Sequence, residues 1–185
     1  MNDIKINIGG GYKRYDGFLN IDIDPNTKPD NLMNLDDPNL QLPFDNDTVS
    51  EVKAYHILEH IGDNYFKVLQ ELYRVCKRGA IIDIQVPHPF HEVYLNDPTH
   101  KRPITVEGMR LFSKKYNQHQ IDTHNSCSGL GLRFNVDFEL VSWEFVPDPF
   151  YDEIVKRNTQ EQNIRLFREC VNVCQEIHMK LVVVK

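Results

Sequence analysis

The stretch Lys5-Ile6-Asn7-Ile8-Gly9-Gly10-Gly11 carries an apolar run straight into three consecutive glycines. A short apolar run that stops at a glycine cluster reads as a buried strand ending in a tight loop. Glycine suits such a loop because it tolerates positive φ and lets backbone N–H groups come close to a ligand. A second apolar run, Phe18-Leu19-Asn20-Ile21-Asp22, ends in a carboxylate eleven residues after Gly11. A carboxylate at the end of the second strand is placed to accept from the two hydroxyls of a ribose. Together the two runs describe a nucleotide-type pocket at the carboxyl edge of a parallel sheet.

A dinucleotide fingerprint needs G-x-G-x-x-G opening a helix, with its acidic residue about 20 residues further on. Gly9-Gly10-Gly11-Tyr12-Lys13-Arg14 lacks the third glycine, and Asp22 comes too early. Only seven residues, Tyr12 to Phe18, separate the glycine cluster from the second strand. A parallel crossover ordinarily takes about a dozen or more residues and a helix. The first crossover helix is therefore expected to be missing or reduced to a turn.

Beyond this stretch the chain alternates strand and helix patterns, which favours an α/β sheet covered on both faces. Strands are expected at about 4–8, 18–23, 49–55 and 80–86. A helix over about 63–77 places Phe66, Leu69, Leu72 and Cys76 near helical spacing and closes on Arg74, Lys77, Arg78 and Gly79. Further helices are expected over 105–116 and 159–176, the latter burying Phe167, Cys170, Val171 and Cys174. Strands are expected over 134–146 and 178–184.

The same blocks, in the same order, resemble class I S-adenosylmethionine-dependent methyltransferases. Lys5 to Gly11 is similar to their first motif, a hydrophobic strand running into a short G-x-G. Asn20-Ile21-Asp22-Ile23-Asp24-Pro25 resembles the second strand, and Asn34-Leu35-Asp36 falls where an acidic residue follows the third. Leu42-Pro43-Phe44-Asp45-Asn46-Asp47-Thr48-Val49 resembles the approach to the fourth strand, and His56-Ile57-Leu58-Glu59-His60-Ile61 the segment after it. Glu71-Leu72-Tyr73-Arg74-Val75-Cys76-Lys77-Arg78-Gly79 is similar to the family's "ElxRVLKpGG". The short Gly17-Phe18-Leu19-Asn20-Ile21-Asp22 connection resembles a compact, type 11-like subgroup. The resemblance implies a Rossmann-like, doubly wound, mostly parallel sheet with an antiparallel last strand. It also implies S-adenosylmethionine as cofactor, held by Gly9, Gly10, Gly11, Asp22, Leu35, Asp36 and His56. One departure is Asn7, where many relatives carry an acidic residue facing the methionine amino group.

Residues 88–133 form the stretch after the fifth strand, which in such a sheet projects over the ligand crevice. The family usually builds its acceptor pocket there, and this stretch holds His88, His91 and His100. Histidine is suited to taking a proton near neutral pH, so His60, His88 and His100 are the candidate bases. Taken singly, His88, His91 and His100 are also read as surface histidines of a proline-punctuated loop. His56-x-x-Glu59-His60 on a helix would match the H-x-x-E-H zinc pattern of a hydrolase. A metal held by His56, Glu59, His60 and one of His88, His91 or His100 is thus a competing arrangement. The reading adopted assigns no metal: His56 lines the methionine side and His60 faces the acceptor. A degenerate fold that binds the cofactor without chemistry is the third alternative.

A chain of 185 residues with 41% hydrophobic content suits a single domain with a full core. Its net charge is −6, and Lys13-Arg14, Lys101-Arg102 and Lys114-Lys115 are only short basic pairs. The segment after the fourth strand also lacks the (D/N/S)-P-P-(Y/F/W) of amino-methylating DNA enzymes. A small-molecule substrate such as a sugar or other hydroxylated metabolite is therefore expected, rather than nucleic acid. No apolar run approaches the ~18 residues of a membrane span, and the first strand starts almost at once, which argues for the cytoplasm. Cys76, Cys127, Cys170 and Cys174 show neither C-x-x-C nor zinc spacing. No sequence signal points to an oligomeric state.

Overall fold

A computed structural model describes residues 3–185. The strands are β1 (Ile4–Ile8), β2 (Leu19–Asp22), β3 (Asn31–Leu32), β4 (Val49–Tyr55), β5 (Cys76–Pro87), β6 (Phe138–Pro147) and β7 (Cys174–Val183). The helices are α1 (Tyr65–Val75), α2 (Glu92–Leu95), α3 (Val106–Arg110), α4 (Lys114–Asp122), α5 (Leu130–Phe134), α6 (Asp152–Arg157) and α7 (Gln160–Glu169). All seven strands form one sheet in the order β3-β2-β1-β4-β5-β7-β6. β1 to β5 pair in parallel, and β7 runs antiparallel to both β5 and β6. The chain reverses its direction of travel across the sheet between β1 and β4. Ligands of open α/β sheets bind outside the carboxyl ends of the strands at such a point.

β1 is an interior strand between β2 and β4, and Ile6, Asn7 and Ile8 are all buried. Its Ile4, Ile6 and Ile8 alternate with Lys5 and Asn7, so one face meets the core and the other carries the polar side chains. Among the described residues, no helix joins β1 to β2. Gly9 N–H donates to Ile21 O (2.8 Å) and Lys13 N–H to Gly10 O (3.0 Å), so the chain turns at once. In place of a helix, residues 12–18 bring Tyr15 against Tyr55, ring centroids 5.8 Å apart.

One face of the sheet is closed by α1, whose Val68, Leu69, Leu72 and Val75 are buried in the same core as Ile82 and Ile84 of β5. Glu71 and Arg74 of this helix clamp the segment before β4. Glu71 Oε2 accepts from Leu42 N–H, and the Arg74 guanidinium donates to Leu42 O and Phe44 O. The other face carries the pairs Lys5–Glu51 (2.8 Å) and Lys53–Asp83 (3.8 Å), partly exposed. Even cover of both faces is thus not what the chain builds. The missing first crossover leaves this face to charged residues and a few aromatic rings.

Several element boundaries differ from the expectations. α1 ends at Val75, and β5 begins at Cys76. The register then jumps from Val49↔Cys76 to Glu51↔Ile81, and Gly79 sits in that irregularity at φ +81. The helix expected over 105–116 is two helices, because the Ser113 hydroxyl accepts from Tyr116 N–H and caps a new one. The helix expected over 159–176 stops at Glu169. Cys170 and Val171 are exposed, and Cys174 opens β7, where pairing with β5 and β6 outweighs helical spacing. The strand expected from 134 starts at Phe138, after α5. Among the described residues, no helix is long and apolar enough to cross a membrane.

Candidate functional site

The glycine loop is fixed by contacts that only glycine permits. Gly9 adopts φ +62, and a Cβ there would lie 2.5 Å from Ile57 Cγ1. A Cβ on Gly10 would lie 2.4 Å from Asn7 Nδ2. Asn7 is buried and donates from Nδ2 to Asn20 Oδ1 (3.0 Å) and Lys13 O (3.2 Å). Its amide therefore holds the loop in place, a scaffold role in addition to facing the crevice.

Asp22 is held by the loop it faces. Its Oδ2 accepts from Gly11 N–H (2.7 Å) and its Oδ1 from Asp24 N–H (2.8 Å). A carboxylate has about four acceptor sites, so two remain for outside donors. Leu35 is buried beside it. Asp36 is exposed and accepts from Gly62 N–H (2.9 Å) and Asn64 N–H (3.4 Å), which ties the β3 side to the entry of α1.

Two clefts meet at Gly9. One, of about 260 Å3, is walled by Ile21, Ile23, Met33, Leu35, Ile57 and Ile61, with Asp22, Asp36 and His60 at its edges. The other, of about 230 Å3, is lined by Asn7, Gly10, Lys13, Tyr15, Tyr55, His56, Gln85 and Glu176. The crevice is apolar at one end and charged at the other.

His56 stands at the charged end, at the tip of β4, with φ +53. Its Nε2 lies 3.4 Å from Glu176 Oε1 and its Nδ1 3.6 Å from Glu59 Oε1. Glu176 first, then Glu59, raises the imidazole to about 9. His56 in turn holds the Glu176 carboxyl down at about 2. His56 thus carries a positive charge at neutral pH. Glu176, Gln85, Lys13 and Tyr55 were not singled out from the sequence. Glu176 reaches the crevice only through the pairing Pro87↔Glu176 between β5 and β7, and no local pattern announces it.

This pair sets a pH dependence. The folded His56 value lies above the unfolded one, near 6.5, so its contribution is complete below that pH and is lost as pH rises through about 9. Glu176 is depressed, so its contribution is present above about 4.5 and is lost as pH falls toward 2. The His56 side chain is 43% exposed, and solvent screening keeps the effect at about 1 kcal/mol or less. The melting temperature is expected to drop between neutral pH and pH 9, by at most about 2–4 °C. Glu176→Gln should flatten that drop; an unchanged slope in the variant would contradict the pairing.

The three candidate bases do not come together. His60 and His100 meet with ring centroids 4.6 Å apart. His88 instead is buried at the start of the loop after β5, edge-on to Phe145 at 5.7 Å, and burial pushes its imidazole down. Its neighbour His91 pairs with Asp148 at 3.2 Å. His88 therefore belongs to the packing under β6 and β7.

Nor do His56, Glu59 and His60 form the helical zinc pattern. His56 is left-handed, and Leu58–His60 is a single 3₁₀ turn. The two histidines consequently do not share a helix face.

No family model matches the chain, and no curated protein is similar in sequence. Its fold matches many solved structures. An S-adenosylmethionine-dependent methyltransferase from Archaeoglobus fulgidus superposes with a TM-score of 0.62 at 15% identity, over 97% of this chain and 86% of that one. One from Mesorhizobium loti gives 0.52 at 13%, over 97% and 90%. The cyclase SpnF gives 0.56 at 11%, over 99% and 76%. The chain has the fold of the class I S-adenosylmethionine-dependent methyltransferases. The cyclase among the matches means that activity must be argued from the crevice itself.

Proposed function

We propose that the crevice binds S-adenosylmethionine and that the protein transfers its methyl group to a small hydroxylated acceptor. The observation that carries this reading is the change of character at Gly9. An apolar slot edged by Asp22 suits an adenosine, whose ring packs between apolar walls and whose diol donates to the carboxylate. The other half offers charged His56 and Lys13 for a carboxylate, and Glu176 for an ammonium. That is the complement of a zwitterionic amino acid. A pyrophosphate would want a helix N-terminus after the glycines, and residues 12–18 form turns instead.

The chemistry asks little more of the protein. The acceptor oxygen attacks the methyl carbon, the C–S bond breaks, and the sulfonium becomes a neutral thioether. The acceptor proton goes to a base, and His60, at the edge of the apolar cleft, stands with His100 at that end. The net charge of −6 argues against a polyanionic acceptor.

Transfer of a labelled methyl group from S-adenosylmethionine to a panel of sugars, polyols and phenols, with amines alongside, tests the reading. Label is expected on a hydroxylated acceptor. His60→Ala and His100→Ala should lower kcat by about 10²–10⁴-fold while S-adenosylhomocysteine affinity stays within a few-fold. Labelling of amines alone would overturn the acceptor class, and no labelling at all would leave a cofactor-binding fold without the proposed activity.

A further inference from the structure

We propose that Glu59, His60 and His100 form a binding site for one divalent first-row transition-metal ion beside the crevice. One donor atom from each of the three lies within 4.8 Å of the other two, an arrangement found among the described residues. This set differs from the H-x-x-E-H pattern, because His100 takes the place of His56.

Glu59 gives the first independent reason. It is 1% exposed, and among the described residues neither carboxylate oxygen has a hydrogen-bond partner. The nearest cation, His56, stands at 3.6 Å, beyond hydrogen-bond reach, and faces Oε1. Burying a carboxylate with its acceptor sites unfilled is costly, and buried charges are commonly paired or coordinated to metal.

Proton accounting at the two histidines gives the second. The Thr99 hydroxyl donates its one hydrogen to Asp97 Oδ1 (2.6 Å). It can only accept from His60 Nδ1 at 2.8 Å, so that nitrogen carries the proton. His100 Nδ1 likewise faces an acceptor, Tyr94 O at 2.7 Å. In its neutral form each ring then has its lone pair on Nε2, the atom available to a ligand. The nearest acid to His100 Nε2 on its own loop is Asp97, at 3.9 Å. Imidazoles whose other nitrogen is fixed by a carbonyl or a hydroxyl–carboxylate relay are the usual setting of metal-bound histidine.

The backbone supplies the third. Lys101 N–H donates to Glu59 O (2.7 Å), and the Arg102 guanidinium donates to Ile61 O and Gly62 O. These bonds strap the loop that carries His100 onto the turn that carries Glu59 and His60. Two imidazoles and one carboxylate favour zinc, cobalt, iron or manganese over magnesium or calcium, which prefer all-oxygen sets. Three protein ligands leave positions open. Since His60 edges the apolar cleft, an ion there would acidify a bound hydroxyl and take over the role of the free imidazoles, whose Nε2 lone pairs it occupies; that role rests on the methyl-transfer reading, whereas the binding does not.

Titration of chelator-treated full-length protein with Co2+, followed by its visible absorption, tests the site. Saturation at one equivalent is expected, with displacement by Zn2+ and none by Mg2+. His60→Ala and His100→Ala should abolish the spectrum with circular dichroism unchanged. Thr99→Val, which removes only the relay, should weaken binding about 10–100-fold and covers the case of a misfolded histidine variant. Absence of Co2+ uptake by the folded wild type, or uptake unaltered in the histidine variants, would overturn the proposal. S-adenosylhomocysteine titration of the same sample reports separately on the cofactor reading.

Discussion

Asp22→Ala is expected to weaken S-adenosylhomocysteine binding by about 10²–10⁴-fold. Hydrogen bonds to a charged group contribute about 1.5–3 kcal/mol each, and a ribose diol makes two of them. At 1.4 kcal/mol per decade, the pair accounts for roughly that loss. The variant also leaves Gly11 N–H without the acceptor that holds it at 2.7 Å, which loosens the loop over the ligand. Calorimetric titration with S-adenosylhomocysteine, with NAD as competitor, measures the effect. Affinity within a few-fold of wild type would overturn the assignment of Asp22 to the ribose, and displacement by NAD would overturn the choice of cofactor.

Gly9→Ala is expected to cost about 2–5 kcal/mol in stability and to eliminate cofactor binding. The left-handed backbone costs a non-glycine residue about 1–2 kcal/mol. The added Cβ must then displace Ile57, whose Cγ1, Cδ1 and Cβ would all lie within 2.7 Å, and overpacking costs about 1–3 kcal/mol. Gly11→Ala separates the two causes. It shares the positive φ, but a Cβ there meets nothing within 4 Å, so only the backbone cost of about 1–2 kcal/mol remains. Denaturant unfolding of the two variants should show the larger loss for Gly9→Ala. Equal losses would contradict the close approach of Ile57.

The turn that replaces the first crossover helix was legible because it is a matter of length: seven residues cannot span a helical crossover. β1, β2 and the body of α1 were legible because burial repeats at short range along the chain. The errors fell where two local patterns coincide. Cys170 and Cys174 are spaced for a helix, yet the segment after Glu169 is extended because β7 finds partners on both sides. Gly79 resembles a helix stop, yet it relieves a register jump inside β5.

The candidate site divides in the same way. Gly9, Gly10, Gly11 and Asp22 could be named from the sequence, since a loop and the strand beside it are close along the chain. The separation of His88 from His60 and His100 could not, because it depends on which side of β5 and β7 the following loop packs. Glu176 meets His56 only because β7 returns antiparallel to β5, and His100 meets Glu59 only through backbone bonds from the next two residues. Apolar spacing and glycine placement determined the sheet and one wall of its crevice from sequence alone. The charges and imidazoles at its ends were decided by the tertiary structure, because strand pairing and backbone hydrogen bonds between distant segments leave no periodic trace in the chain.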